Sequence, residues 1–163
     1  MGRFAVSTSM NFENVSEIIV ADINADSANT FANSMNEKVS GIGLDVTDID
    51  GLKRQMGKVD VVINTVGPFY KFGPPILEAA IDVGCHYLDI NDDWEPTVEM
   101  LKLHKKAEDN STTAILGMGA SPGLTNMLGA AAIHELDTVE TLYTGWTMAV
   151  SYTHLTLPTS VTV

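Results

Sequence analysis

The sequence predicts an α/β fold, a doubly wound parallel sheet with helices on both faces, and three observations carry that prediction. Short apolar runs alternate with segments of helical period along most of the chain, the pattern of a parallel sheet crossed by helices. The clearest run, "VDVVINTV" at residues 59–66, is nearly continuously apolar, as a strand buried on both faces must be. Several runs close on an acid or feed a glycine-containing loop, at Asp22, Asp45, Gly67 and Gly117. Strand ends of this kind carry ligands in such sheets.

Each element follows in order. Residues 3–11, "RFAVSTSMN", suit a first helix, and residues 17–22 form a short buried strand ending in Asp22. Asp26 and Ser27 can cap a helix running to about Met35. A weaker strand spans residues 39–44, and a short helix spans 48–56. After the strand at 59–66, Pro74 and Pro75 suit the first turn of a helix, where a missing N–H costs nothing. That helix, containing "ILEAAIDV", stops at Gly84, a good residue for the left-handed position after a helix end. A strand at 86–90, a polar-capped helix at 94–108 and a strand at 113–116 follow. A glycine loop at 117–123, a helix at 125–135 and a strand-like segment at 138–146 complete the pattern.

Composition narrows the classes of function. The 163 residues carry nine Lys and Arg against 21 Asp and Glu, a formal net charge of −12. Such a surface repels nucleic acid and anionic membrane, so neither is expected as a partner. No apolar stretch approaches the roughly 20 residues of a membrane helix, and the start lacks the pattern of a secretory signal. The single cysteine, Cys85, gives no intramolecular disulfide and no metal-ligand cluster. A reducing, cytoplasmic setting is expected and no metal site is.

The spacing at the start points to a nucleotide. In a dinucleotide-binding sheet, G-x-G-x-x-G follows the first strand. An acid ends the second strand about 20 residues later, where it accepts from a ribose hydroxyl. Asp22 lies 20 residues after Gly2 and closes an apolar strand. If Gly2 is the third glycine, the first strand and two glycines lie before Met1. The same residues also read as a solvated strand-end acid and an ordinary terminal glycine. A carboxylate at Asp22 would repel the 2′-phosphate of NADP, and Ile23 and Asn24 rather than an Arg follow it. NAD is therefore the expected cofactor, with NADP second.

Two loops extend the candidate site. In "NTVGPFYKFGPP", residues 64–75, Gly67 allows a close backbone approach and Pro68 stiffens the turn. "GMGASPGLTN", residues 117–126, feeds a helix whose first N–H groups favour an anion. Both loops also read as plain connections. His86 and Tyr87 beside Asp89 read as strand packing, Asp92 and Asp93 as helix caps, His104 and His134 as helix surface, and Cys85 as buried and inert. No residue is assigned to proton transfer.

Taken together, "MGR", "ADIN", "LDVTD", "DVVINTVGPF", "ILEAAIDVGCHYLDI" and "GMGASPGLTN" resemble the saccharopine dehydrogenase family across residues 1–149. The resemblance implies a Rossmann-type sheet that here lacks its first strand, because the family fingerprint ends in M-G-R. It implies that Gly2 and Arg3 belong to that fingerprint, that Asp22 holds the adenosine ribose, and that Asp45 and Val46 flank the adenine. It places Asn64, Thr65, Gly67 and Pro68 along the cofactor toward the nicotinamide, and Pro122 and Gly123 near its junction with substrate. The implied chemistry is hydride transfer between a nicotinamide and a carbon bonded to nitrogen, with an amino-acid or imine substrate and a homodimeric parent. Family members are expected to be roughly twice this length, with an α+β substrate domain following.

Four alternatives stand beside it, among them a semialdehyde- or sugar-dehydrogenase type that shares the strand order but not "NTVGPF" followed by "GCHYLDI". A subset of the family reduces enoyl lipids, and a catalytically idle NAD sensor could share the fold. A short-chain reductase would want Tyr-x-x-x-Lys, and no Tyr here has Lys four positions on. The domain limits expected are 1–137 for the dinucleotide-binding part and 138–149 for the start of the substrate domain. Residues 150–163, "VSYTHLTLPTSVTV", look like translated sequencing adapter through residue 159 and are expected to carry no function. The chain by itself is expected to be inactive.

Overall fold

The structure, a computed structural model, describes residues 2–145. The adapter-like tail and Trp146 lie outside the described residues. The elements run α1 (Gly2–Ser9), β1 (Ile18–Asp22), α2 (Ala25–Asn33), β2 (Val39–Gly43), α3 (Ile49–Met56) and β3 (Val61–Asn64). Then come α4 (Phe69–Asp82), β4 (His86–Asp89), α5 (Trp94–Leu101), α6 (His104–Asp109), β5 (Ala114–Ile115) and α7 (Leu124–His134).

All strand pairings between these elements are parallel, as the alternation predicts. The strands form two sheets, β1–β2 and β3–β4–β5, with no ladder between β1 and β3. Helix α2 lies close on one face of the first sheet. A Cβ on Gly41 would fall 2.6 Å from the Ala28 carbonyl carbon, and one on Gly43 would fall 2.8 Å from Ala25 Cβ. Only glycine allows strand and helix backbones to approach so closely. Helix α4 lies against β3 and β4 of the second sheet and packs with α3 and α5. Leu52, Met56, Ile76, Leu77, Ala80 and Ile81 pack there with Cys85, Tyr87 and Met100 to make the main core. Val62 and Tyr87 are register partners across β3 and β4, and both turn toward that core.

Several local expectations are corrected. The cap of α2 is Asn24, whose Oδ1 accepts from Ser27 N at 2.9 Å, rather than Asp26 or Ser27. Helix α4 begins at Phe69, so Pro74 and Pro75 lie inside it. The polar helix divides into α5 and α6, and Asp93 makes no side-chain cap bond. β5 has only two residues, and residues 138–145 form no strand. Gly84 has φ +73° and ends α4 as expected.

Candidate functional site

Within each sheet every strand pairing is parallel, so the carboxyl ends of β1 and β2 lie together, as do those of β3, β4 and β5. Asp22 closes β1, Asp45 follows β2, Asn64 closes β3, Asp89 closes β4 and Gly117 follows β5. In open α/β sheets this is where ligands bind.

Helix α1 starts at the same place. A Cβ on Gly2 would sit 3.1 Å from Thr65 Oγ1, so the helix start is seated against the end of β3. One residue on, the Arg3 guanidinium lies 5.3 Å from the centre of the Phe31 ring in α2. Arg3 thereby borders an open cleft of about 380 Å³ whose wall includes Asn24, Asp26, Ser27, Thr30 and Ser34. The chain neighbours of Asp22 include no arginine, yet the fold brings Arg3 to the helix that follows it. Linear spacing could not reveal that approach.

The acids at the first two strand ends are tied into turns. Asp22 Oδ1 accepts from Asn24 N at 2.9 Å, which fixes the turn into α2. Asp45 Oδ1 accepts from Thr47 Oγ1 at 2.7 Å and from Thr47 N at 2.8 Å. These bonds, the hydroxyl's first, hold the Asp45 carboxyl below its ordinary value. Val46 packs against the main core.

The third and fourth strand ends form a buried polar network. Asn64 Nδ2 donates to the Tyr87 hydroxyl at 2.9 Å, which donates to Asp89 Oδ2 at 3.0 Å. Asp89 Oδ1 accepts from Gly117 N at 2.7 Å and from Asn91 N at 3.1 Å. Asn91 Nδ2 continues to Thr97 Oγ1 at 2.7 Å. Burial pushes the Tyr87 hydroxyl strongly up, and the nearby Asp89 charge adds to this while the Asn64 bond opposes it. The network fixes the ends of β3 and β4 relative to the loop after β5. The Asn64 side chain is spent inside it, with Oδ1 accepting from Val66 N at 2.9 Å.

The two flanking loops each carry a cis proline, at Gly67–Pro68 and Ser121–Pro122. Gly67 and Pro68 are exposed, and nothing lies within 4 Å of a Cβ built on Gly67. Gly123 is buried with φ +121°, and its N–H donates to Asn126 Oδ1 at 3.1 Å. Pro122 packs beside Gly117, where a Cβ would lie 2.9 Å from Pro122 Cγ. Gly2, Thr65 and Asn64 are thus assembled at the end of β3, while Arg3 lies over Phe31 along α2, in a cleft that Asp22 does not line. Pro122 and Gly123 join the site through Gly117 and Asp89.

Asp89 and Asn91 were not among the expected site residues. The available signal was an acid closing an otherwise apolar strand, the same signal that singled out Asp22. His86 Nδ1 accepts from Thr113 N at 3.1 Å, a packing role as expected, and His104 and His134 are exposed on helices. Cys85 is buried, its thiol pushed up by burial.

Residues 1–115 match the family model described as "Saccharopine dehydrogenase NADP binding domain". The chain is 34% identical over 76 residues to an Arabidopsis thaliana protein named "Probable mitochondrial saccharopine dehydrogenase-like oxidoreductase", covering 46% of this chain and 17% of that one. It is 30% identical over 89 residues to a human saccharopine dehydrogenase-like oxidoreductase, covering 53% and 20%. These relatives are therefore nearer three times than twice the length of this chain. Apo saccharopine dehydrogenase (L-Glu forming) from Saccharomyces cerevisiae superposes with a TM-score of 0.71 at 21% identity, over 82% of this chain and 28% of that one. That likeness establishes the fold. The family description favours NADP over the NAD expected from Asp22. The chain belongs to the saccharopine dehydrogenase family, whose nicotinamide-cofactor domain it carries in an oxidoreductase lineage.

Proposed function

We propose that this chain is the cofactor half of an oxidoreductase that moves hydride between NADP(H) and the C–N bond of an amino acid or imine. The observation that carries the reading is the seating of Gly2 against Thr65 at the carboxyl end of β3. It supports a cofactor crossing the end of the sheet there, because it seats the start of α1 close against the end of β3, where ligands bind in such sheets. When bound, the nicotinamide supplies the hydride or accepts it.

In this reading the chain's own residues bind and orient. Asp22 accepts from the adenosine ribose, and Arg3, with the Ser27 and Thr30 hydroxyls, meets a 2′-phosphate in the cleft at the start of α2. The carboxylates of Asp22 and Asp26 oppose that phosphate, so the preference rests on Arg3. Asp45 and Val46 flank the adenine. Gly67 and Pro68 leave an exposed path toward the nicotinamide, while Pro122 and Gly123 border the substrate side. Positioning of this kind supplies most of what a hydride transfer needs from protein. The amino-acid pocket belongs to chain beyond residue 137, and the parent is a homodimer.

The test is titration of the chain with NADPH and NADH, followed by nucleotide fluorescence. NADPH binding at least about tenfold tighter, with the ratio reduced toward one in Arg3→Ala, is the expected result; tenfold corresponds to about 1.4 kcal/mol. Equal affinities in the unsubstituted chain would remove the NADP assignment. Failure of the parent enzyme to use either nucleotide with amino or imino acids would remove the reaction.

A further inference from the structure

We propose that the exposed face of α5 docks antiparallel on the same face of a second copy of this chain. Lys102 of each copy then enters the groove between α4 and α5 of the other. The inference deepens the homodimer of the proposed function and is independent of the cofactor.

Helix α5 is packed on one side only. Pro96 and Met100 are buried, and a Cβ on Gly73 of α4 would lie 3.4 Å from Met100 Sδ. On the opposite side Trp94, Val98 and Leu101 are 72%, 44% and 60% exposed. They recur at i, i+4 and i+7, the spacing by which one helix docks on another surface. A lone exposed apolar residue needs no explanation, whereas a contiguous row marks an interaction site.

Beside this row lies a groove of about 240 Å³, walled by Tyr70 and Pro74 of α4 and by Trp94, Glu95, Val98 and Glu99 of α5. The Tyr70 ring is 70% exposed. Two aromatic rings and two carboxylates around one space favour a cation carried on an apolar stem, as in a lysine side chain.

The same helix presents that cation. Lys102 directly follows α5, and its Nζ lies 2.6 Å from Glu99 Oε1, with both side chains more than half exposed. A two-fold axis beside Val98 sets the two helices antiparallel, and every contact then occurs twice. Val98 meets Val98, Trp94 meets Leu101, and Glu95 meets Lys102. The axis also keeps the groove side of one helix on the groove side of the other, so Lys102 of the second copy lies over Glu95, between the rings. A parallel arrangement would instead set Glu95 against Glu95 and Lys102 against Lys102. Each copy carries a net charge of −12 and repels the other at long range. The antiparallel register opposes this locally with two lysine–carboxylate contacts. Two helical turns and one groove put the contact at the small end of specific interfaces, so the dimer should dissociate in the micromolar range.

The experiment is sedimentation equilibrium of the 163-residue chain at about 0.15 M salt, where repulsion between distant charges is screened. A monomer–dimer equilibrium is expected. Glu95→Lys and Lys102→Glu, both at exposed positions, should each weaken it at least about tenfold by placing like charges together. An equal mixture of the two variants should recover association to within about threefold of the unsubstituted chain, because opposite charges then meet at both contacts. A chain that stays monomeric at all concentrations overturns the proposal. A dimer that neither reversal weakens overturns it while leaving the homodimer standing on another surface. A mixture no tighter than the single variants also overturns it, since the two residues then do not meet. No nucleotide is present, so each of these failures is distinct from failure of cofactor binding or of the reaction.

Discussion

The Tyr87 hydroxyl donates to Asp89 Oδ2 at 3.0 Å, and both residues are 0% exposed. A carboxylate withdrawn from water needs its lone pairs filled. Asp89 fills them with one phenol and two backbone N–H groups, from Asn91 and Gly117. The end of β4 is thereby pinned to the loop that follows β5, and through Asn64 to the end of β3.

Removing the phenol oxygen should unpin this junction. Tyr87→Phe leaves Asn64 Nδ2 without its acceptor and Asp89 Oδ2 without its donor. The expected loss is about 1–3 kcal/mol in urea unfolding, the cost of buried groups left unpaired. A variant as stable as the unsubstituted chain would show that the network does not hold the strand ends.

The same residue predicts alkaline behaviour. The folded-state pKa of Tyr87 is raised above its ordinary value, chiefly by burial. Above the unfolded-state value the folded protein therefore binds more protons than the unfolded one, so stability falls as pH rises. The full contribution is present below about pH 10 and declines above it, by up to about 1.4 kcal/mol per pH unit. Urea midpoints between pH 9 and 11 should fall less steeply in Tyr87→Phe. Parallel curves would contradict this.

Much of this fold was legible because parallel strands write nearly continuous apolar runs, although Val61 and Ile63 of the clearest run are exposed here. The run around Val62 and the "HYLDI" segment were found within a residue or two on that signal. Asp22 was legible because an acid ending such a run is conspicuous. Arg3 beside α2 and Gly117 beside Asp89 were not, since each contact joins residues 28 apart in sequence. Pro74 and Pro75 misled because an internal proline requires only that the carbonyl one turn back go without its partner. Helix α4 runs through both. Asp93 misled because its side chain had the composition of a cap, whereas Asn91 Nδ2 holds the turn by donating to the Asp93 carbonyl at 3.1 Å.

Asp82 makes an acid-side prediction. Lys106 Nζ and Lys53 Nζ each lie 2.6 Å from its carboxylate, joining α6 and α3 to the end of α4. The Lys106 bond first, and the Lys53 bond second, hold the Asp82 carboxyl below its ordinary value. A depressed folded-state pKa gives stability that is present above the unfolded value and lost as pH falls through the folded one. Asp82→Asn should cost about 1 kcal/mol or less at pH 7, since the pair is partly exposed and screened. The difference from the unsubstituted chain should shrink as pH drops below about 4. A gap that persists at pH 2 would mean that packing, not charge, is lost.

Gly123→Ala should disrupt the loop between β5 and α7. Its φ of +121° is strained for any residue with a Cβ, and that atom would fall 2.7 Å from Gly119 N and even nearer to Gly119 O. The loss expected is at least about 1–3 kcal/mol, with faster amide exchange at Gly117, whose N–H lies against Asp89.

Gly41→Ala tests the other side of the fold. Its Cβ would meet the Ala28 carbonyl carbon and oxygen at 2.6 Å and Asn29 N at 2.7 Å. These are backbone atoms of α2, which cannot rotate aside, so the helix must lift from β2. Overpacking of this kind costs about 1–3 kcal/mol. Gly67→Ala, with nothing within 4 Å of the added carbon, should stay within about 0.5 kcal/mol of the unsubstituted chain. Lifting α2 also moves Phe31 from Arg3, so Gly41→Ala should weaken NADPH binding more than NADH binding. Equal weakening of both nucleotides would separate the cleft at α2 from cofactor choice.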